Sequence, residues 1–123
     1  MNAPAPRRMK TYTAQTGYVY QYYFVGQRPA LATAPESPAT EFVFDVTRDR
    51  KTTYAVSIFL QPTALTAWAA AHGRPLTAPE QYAAAKLRLL AAFDEIENLH
   101  AHERHFVINA ENIELLLADL GLE

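Results

Sequence analysis

The sequence predicts an α+β domain in which an antiparallel sheet of three or four strands carries two or three helices on one face. In the first half, three segments alternate apolar and polar residues with the period of two that is typical of strands. In the second half, the apolar residues recur with the period of amphipathic helices. The predicted element order is β-β-β-α-α-(β)-α. The chain has 123 residues, half of them hydrophobic, which is enough for one core and not for two.

The strands are predicted from aromatic and β-branched residues. In the stretch TGYVYQYYFV, the side chains of Tyr18, Tyr20 and Tyr22 fall on one side of an extended chain. The segments TEFVFDV and TTYAVSIFL, joined by the polar stretch TRDRK, predict an antiparallel hairpin. Residues 26–40, GQRPALATAPESPAT, have no period and are rich in proline and alanine, which predicts a long surface loop.

Two helices follow the hairpin. Pro62 suits the first turn of a helix, and Gly73 is placed to end that helix. Thr77 and Glu80 have the spacing of a capping box, which predicts the start of a second helix that runs to about Asn98.

The last eighteen residues predict two shorter elements. The apolar segment from Phe106 to Ile108 is interpreted as a possible fourth strand. Asn109 is predicted to cap a third helix. The apolar residues of this helix recur at i, i+3, i+4 and i+7, and they are Ile113, Leu116, Leu117 and Leu120.

Composition and charge exclude several classes of protein. Residues 1–8, MNAPAPRR, have too little apolar surface to order, so we expect a disordered tail before a single domain at 9–123. Cysteine is absent, which excludes disulfides, thiolate metal sites and a cysteine nucleophile. Without a signal peptide or a long apolar run, we expect a soluble, cytoplasmic protein with no membrane partner. Residues 1–51 carry a net charge of +3 and the remainder −5, an asymmetry too small to predict nucleic-acid binding.

Three of the four histidines lie close together and form the first candidate site. His100, His102 and His105 have the spacing H-x-H-x-x-H, which resembles the H-x-H-x-D-H signature of the metallo-β-lactamase fold. Arg104 occupies the position of the aspartate in that signature, and a cation cannot ligate a metal, so we do not assign the chain to that family. A metal site made of two of these histidines and Glu103 is one interpretation. The other is a solvated helix exit, where protonated histidines interact favourably with the helix dipole.

Lys86 is the second candidate. Helical spacing places it on the apolar face of the second helix, between Tyr82, Leu90 and Phe93. A buried lysine has a lowered pKa and can serve as a base or form a Schiff base, whereas a lysine whose ammonium reaches water only packs its methylene groups on the core. Ser57 lacks the flanking glycines of a nucleophile elbow. The sequence therefore favours a non-catalytic protein over an enzyme, without deciding between them, and predicts no cofactor.

The third candidate is an aromatic set of interface or pocket residues, namely Tyr18, Tyr20, Tyr22, Tyr23 and Trp68. Tyrosine hydroxyls require a hydrogen-bond partner, so this set predicts the sheet core, a subunit interface or a ligand platform. The function that we expect is a non-catalytic protein-interaction or self-associating module that forms a homodimer or binds another protein. The alternatives are a small-molecule pocket between the aromatic sheet face and the helices, either binding only or weakly catalytic, and metal binding through the histidines.

Overall fold

The computed structural model describes residues 9–30, 39–96 and 104–120, which form a five-stranded sheet and three helices. The predicted tail at 1–8 lies outside the described residues. The strands are β1 (Lys10–Thr13), β2 (Val19–Ala30), β3 (Ala39–Thr47), β4 (Thr53–Leu60) and β5 (His105–Ile108). The helices are α1 (Pro62–His72), α2 (Ala78–Glu95) and α3 (Ile113–Leu117). The strands lie in sequence order across the sheet, and all neighbours are antiparallel except β4 and β5.

The α+β class is confirmed, but the predicted sheet is wrong in its number of strands and in being antiparallel throughout. The first omission is β1, whose four residues are too few to show a period and which pairs with the start of β2. The predicted loop at 26–40 is wrong at both ends, because β2 continues to Ala30 and β3 begins at Ala39, and residues 31–38 lie outside the described residues. Gly26 and Pro29 suggested a loop, yet both residues lie within β2.

The parallel strand β5 is the second correction. Two helices separate β4 from β5, and such a crossover returns the chain in the same direction rather than the opposite one. Ser57 pairs with His105, and Leu60 pairs with Ile108. The amide of Ser57 also donates to the carbonyl of Arg104 at 2.9 Å. The sheet is therefore mixed.

The core lies between one face of the sheet and the helices. Phe93 of α2 stacks on Tyr20 of β2 with ring centroids 4.2 Å apart and ring planes 6° from parallel. Tyr82, three turns earlier on α2, packs edge-on against Phe24 at 5.0 Å. Trp68 of α1 is also buried, with 1% of its surface exposed. These aromatic contacts fix α2 along β2, so one face of that strand is covered by helix.

The predicted boundaries of α1 and α2 are largely confirmed. Gly73 ends α1 in the left-handed conformation, with φ of 75°. Thr77 and Glu80 form the predicted capping box of α2, and Glu80 also forms two 2.9 Å hydrogen bonds with Arg74. The Arg74 guanidinium lowers the pKa of Glu80 to about 2. The helix ends at Glu95 rather than near Asn98.

The third helix is shorter than predicted. The side chain of Asn109 accepts the amides of Glu111 and Asn112, at 3.0 and 2.9 Å, so it caps a turn and the helix begins only at Ile113. Among the described residues, none of the helices is long and apolar enough to cross a membrane.

Candidate functional site

One side of β2 is largely open. This strand has twelve residues, but β1 pairs only with its first four, Val19–Tyr22. Along Phe24–Pro29, β3 pairs with one side, and no strand among residues 9–30, 39–96 and 104–120 pairs with the other. We call this segment, Phe24–Pro29, the open edge. Sheet edges of this kind present backbone groups that can pair with another chain.

The turn before β2 determines which backbone groups are directed to the open side. At that turn, the amide of Ala14 donates to the carbonyl of Tyr18 at 2.8 Å. Backbone groups alternate in direction along an antiparallel strand, so those of Tyr20 and Tyr22 are also directed to β1. By the same alternation, the N–H and C=O of Phe24 are directed to the open side.

A β-bulge changes the alternation beyond Phe24. The register with β3 shifts between Phe24 and Gly26, so Val25 is an additional residue and Gly26 opposes Val43. The backbone N–H and C=O of Gly26 are therefore directed to β3, and those of Gln27 are directed to the open side. The open edge thus offers the N–H and C=O groups of Phe24 and Gln27.

Pro29 lies near the far end of the open edge. Its nitrogen is directed to the open side by the same alternation, so the β2–β3 ladder loses no donor. This position explains how a proline fits within the strand. It also means that the open edge has no donor at that residue.

A shallow hollow accompanies the bulge. It has a volume of about 220 Å³, and its lining residues are Val25, Gly26, Gln27, Arg28 and Val43. Apart from the two chain neighbours of Gly26, no atom of the described residues lies within 4 Å of the point where its side chain would begin. Val25 beside it leaves 38% of its surface exposed. The hollow can therefore receive a side chain from outside.

An ion pair fastens the open edge to the centre of the sheet. Arg28 donates through Nε to Oε1 of Glu41 at 2.9 Å, and Ser57 donates through Oγ to Oε2 at 2.6 Å. Glu41 is buried, with 9% of its surface exposed. The Arg28 guanidinium, aided by the Ser57 hydroxyl and the nearby His105, holds the pKa of Glu41 below its usual value against the opposing effect of burial. Carboxylate, hydroxyl and guanidinium thus join β2, β3 and β4.

The predicted aromatic candidates divide between the two faces of the sheet. Tyr20 and Tyr22 are buried in the core, with 1% and 4% of their surfaces exposed. Tyr18 is half-buried and packs against that core. Tyr23 lies on the opposite face and donates its hydroxyl to Asp45 at 2.8 Å. The structure therefore brings Tyr18, Tyr20 and Tyr22 together but separates Tyr23 from them.

Trp68 belongs to the same buried core as Tyr20 and Tyr22, and it also contacts polar groups near α1. Its ring stacks on His72 with centroids 4.1 Å apart, and the guanidinium of Arg74 lies 5.0 Å from its centre. His72 in turn contacts the carboxylate of Glu114 at 2.9 Å. These contacts link α1 to α3.

Of the histidine and lysine candidates, His105 and Lys86 lie within the described residues. His100 and His102 lie outside the described residues. His105 is exposed on β5 and contacts the Phe59 ring edge-on at 5.6 Å. In the three described ranges, no group of three histidine or acidic side chains is placed to hold a metal. Lys86 is half-buried on α2.

A groove between α2 and α3 is a second surface that the sequence did not reveal. Its volume is about 460 Å³, and its apolar lining residues include Leu87, Leu90, Ala91, Leu115 and Leu116. Tyr12 and Asp94 close one end, where the tyrosine hydroxyl donates to the carboxylate at 2.7 Å. Leu115 lies outside the apolar stripe predicted for this helix, and it leaves 81% of its surface exposed.

The sequence prediction misses the open edge because it places Gly26 and Pro29 in a loop. A glycine inside a strand indicates a bulge, and a proline indicates an edge, so the two residues together carried the signal. The chain matches no protein-family model, no curated protein and no solved structure.

Proposed function

We propose that this protein is a non-catalytic interaction module that binds an extended segment of a partner as an additional strand on the open edge. The observation that carries the proposal is that, within residues 9–30, 39–96 and 104–120, only four of the twelve residues of β2 pair with a strand on the side of β1. In such strand addition, backbone hydrogen bonds supply affinity, and pockets for alternate side chains supply specificity. Phe24 and Gln27 supply the backbone groups, and the hollow at Gly26 supplies the pocket.

The ends of the open edge limit what can bind. β1 blocks extension beyond Tyr22, and Pro29 has no N–H to donate at the other end. A bulge and a proline are features that restrict uncontrolled edge pairing. The bound segment is therefore short and centred on Val25 and Gly26.

The polar groups nearby favour a structural role over catalysis. The hydroxyl proton of Ser57 is donated to Glu41, which is also bound by Arg28. A carboxylate held in this way has a lowered pKa and is a weaker base than usual. We therefore assign these groups to holding the strands together.

Hydrogen exchange measured by NMR tests the proposal. The probe is an extended peptide of alternating valine and threonine, added to dilute protein and compared with the same peptide N-methylated at alternate residues. We expect the unmodified peptide to slow exchange at the amides of Phe24 and Gln27, because both become donors to the added strand. Unchanged exchange at both amides in the presence of saturating peptide would contradict the proposal.

Two variants at one position control this experiment. Gln27→Pro removes one outward donor and should abolish the peptide's effect on Phe24. Gln27→Ala keeps the donor and should leave the effect intact. The pair separates loss of the backbone group from loss of the glutamine side chain.

The groove between α2 and α3 favours a second candidate function, the binding of a small apolar molecule. Its volume of about 460 Å³ is within the range of ligand pockets, and four of its ten lining residues are leucines. Decanol is a suitable probe, since a ligand that binds only the native state raises the melting temperature. We expect such a rise in the unaltered protein and none in Leu115→Asp, whose exposed position keeps the substitution from disturbing the core. An unchanged melting temperature in both proteins would remove this candidate.

A further inference from the structure

We infer that the strand bound at the open edge is the open edge of a second copy of this chain, paired antiparallel across a two-fold axis between Val25 and Gly26. This inference rests on the proposed function and names its partner. Two-fold pairing is the commonest closed arrangement of identical chains, and it requires a surface that is complementary to itself.

The backbone satisfies that requirement in one register. If Val25 opposes the partner's Gly26, then Phe24 opposes the partner's Gln27. Both Phe24 and Gln27 direct their N–H and C=O groups outward, so this pair exchanges two hydrogen bonds. The two-fold axis repeats the pair, and the dimer gains four backbone hydrogen bonds.

The side chains are complementary in the same register. Val25 and the partner's Gly26 form a non-hydrogen-bonded pair, in which Cα atoms approach to about 4.5 Å and side chains are closest. Gly26 offers an open hollow where a side chain would otherwise lie, and Val25 is an exposed apolar side chain beside it. Each copy therefore places a valine in the hollow of the other.

The ends of the pairing also agree with this register. Two steps beyond the pair of Phe24 with Gln27, Tyr22 would meet the partner's Pro29. Tyr22 already pairs with Lys10 of its own β1. The pairing between the two copies therefore stops before Pro29. The lack of an N–H at Pro29 costs the dimer no hydrogen bond.

The chain's own N-terminal residues are poorer occupants of the open edge. The backbone amide of Ala14 is directed to β2. The alternation along an antiparallel strand gives the backbone groups of Tyr12 and Lys10 the same direction. In the same register, a continuation of β1 would turn positions 8, 6 and 4 toward β2, with position 8 opposite Phe24. Positions 6 and 4 are proline and have no N–H to donate, so of these three only position 8 could donate to β2.

The expected dimer is weak. Six residues of each chain form the contact, which is less than the 20–30 residues a side of a stable interface, about 1,200–2,000 Å² in total. Association should therefore depend on concentration, with a dissociation constant in the micromolar range or weaker.

Sedimentation equilibrium from about 1 μM to about 1 mM protein tests the inference. We expect a monomer at the lowest concentration and a growing dimer fraction above it. Gly26→Val should weaken the dimer at least tenfold, because it fills the hollow, and the new Cβ has open space among the described residues beyond its two chain neighbours. Gln27→Pro should weaken it similarly, and Gln27→Ala should leave it unchanged.

A cross-linking experiment checks the register independently. The chain has no cysteine, so a single cysteine introduces the only thiol. Val25→Cys lies beside the proposed axis and should form a disulfide between two chains on mild oxidation. Val19→Cys is a matched control, because Val19 is exposed on the same strand but lies where β1 pairs with it.

The outcomes separate the inference from the proposed function. A monomer at every concentration, or a dimer that Gly26→Val and Gln27→Pro leave intact, overturns the inference. The proposed function is decided by peptide protection of the Phe24 and Gln27 amides in monomeric protein. Protection without a dimer would retain the strand-binding function and replace the second copy with another partner.

Discussion

The two parts of β2 have the same extended conformation and opposite surroundings. Val19–Tyr22 pairs with β1, and two of its tyrosines are buried against α2. In the described part of the chain, the open edge, Phe24–Pro29, pairs with β3 on one side and with no strand on the other, and four of its six residues are exposed. One strand therefore supplies stability in its first part and accessible backbone in its second.

The composition changes at the same point as the surroundings. The first part is aromatic, whereas glycine, glutamine, arginine and proline dominate the second. Aromatic residues stabilise through burial, and the polar residues hold an exposed strand in place through pairing with β3 and the bond from Arg28 to Glu41. The two parts of β2 are thus expected to contribute differently to the free energy of unfolding, although both are extended.

Truncating one aromatic residue in each part should give the largest difference. Tyr20→Ala should lower the free energy of unfolding by about 3–5 kcal/mol, because it removes a buried ring stacked on Phe93. Phe24→Ala should lower it by about half as much, since Phe24 is only half-buried. Urea denaturation measures both values. Equal losses would show that the open edge belongs to the core as fully as the first part does.

The sequence predicted elements that local chemistry determines. The capping box at Thr77 and Glu80 and the helix stop at Gly73 were found because each depends on a few adjacent residues. The strand containing Tyr20 and Tyr22 was found because its alternation is strong. Such features need no knowledge of the tertiary partners.

The remaining features depend on residues far apart in sequence. The direction of β5 follows from the crossover through α1 and α2, and the ion pair of Arg28 with Glu41 requires the register of β2 with β3. The groove beside Leu115 exists only because α3 packs near α2. For the candidate site, the sequence contained Gly26 and Pro29 but not the length of β1, and that length decides which part of β2 is open.

Proline substitution at two glutamines of β2 tests the direction of the backbone groups. The backbone N–H of Gln21 is directed to β3. Gln21→Pro therefore removes a hydrogen bond of the β2–β3 ladder and should cost about 2–3 kcal/mol of stability. The backbone N–H of Gln27 is directed to the open side. Gln27→Pro should therefore lower the free energy of unfolding of the monomer by less than about 1 kcal/mol. Glutamine-to-alanine variants at both positions correct for loss of the side chain. If the two prolines destabilised the protein equally, the assigned direction of Gln27 would be wrong.

The ion pair that holds the open edge should give the smallest effect and a distinctive pH dependence. Arg28 lowers the pKa of Glu41 in the folded protein, so the carboxylate stabilises the fold at pH values above its ordinary pKa. That stabilisation is lost as the pH falls through the lowered pKa, where Glu41 is protonated in both states. Arg28→Ala should therefore have a lower melting temperature than the unaltered protein at pH 7, and the difference should shrink as the pH falls below about 4.5. Lys10→Ala, an exposed cation on β1, is the control and should show no such trend. A difference that stayed constant from neutral to acidic pH would mean that Arg28 acts through packing, and the open edge would then be fastened by the β2–β3 ladder alone.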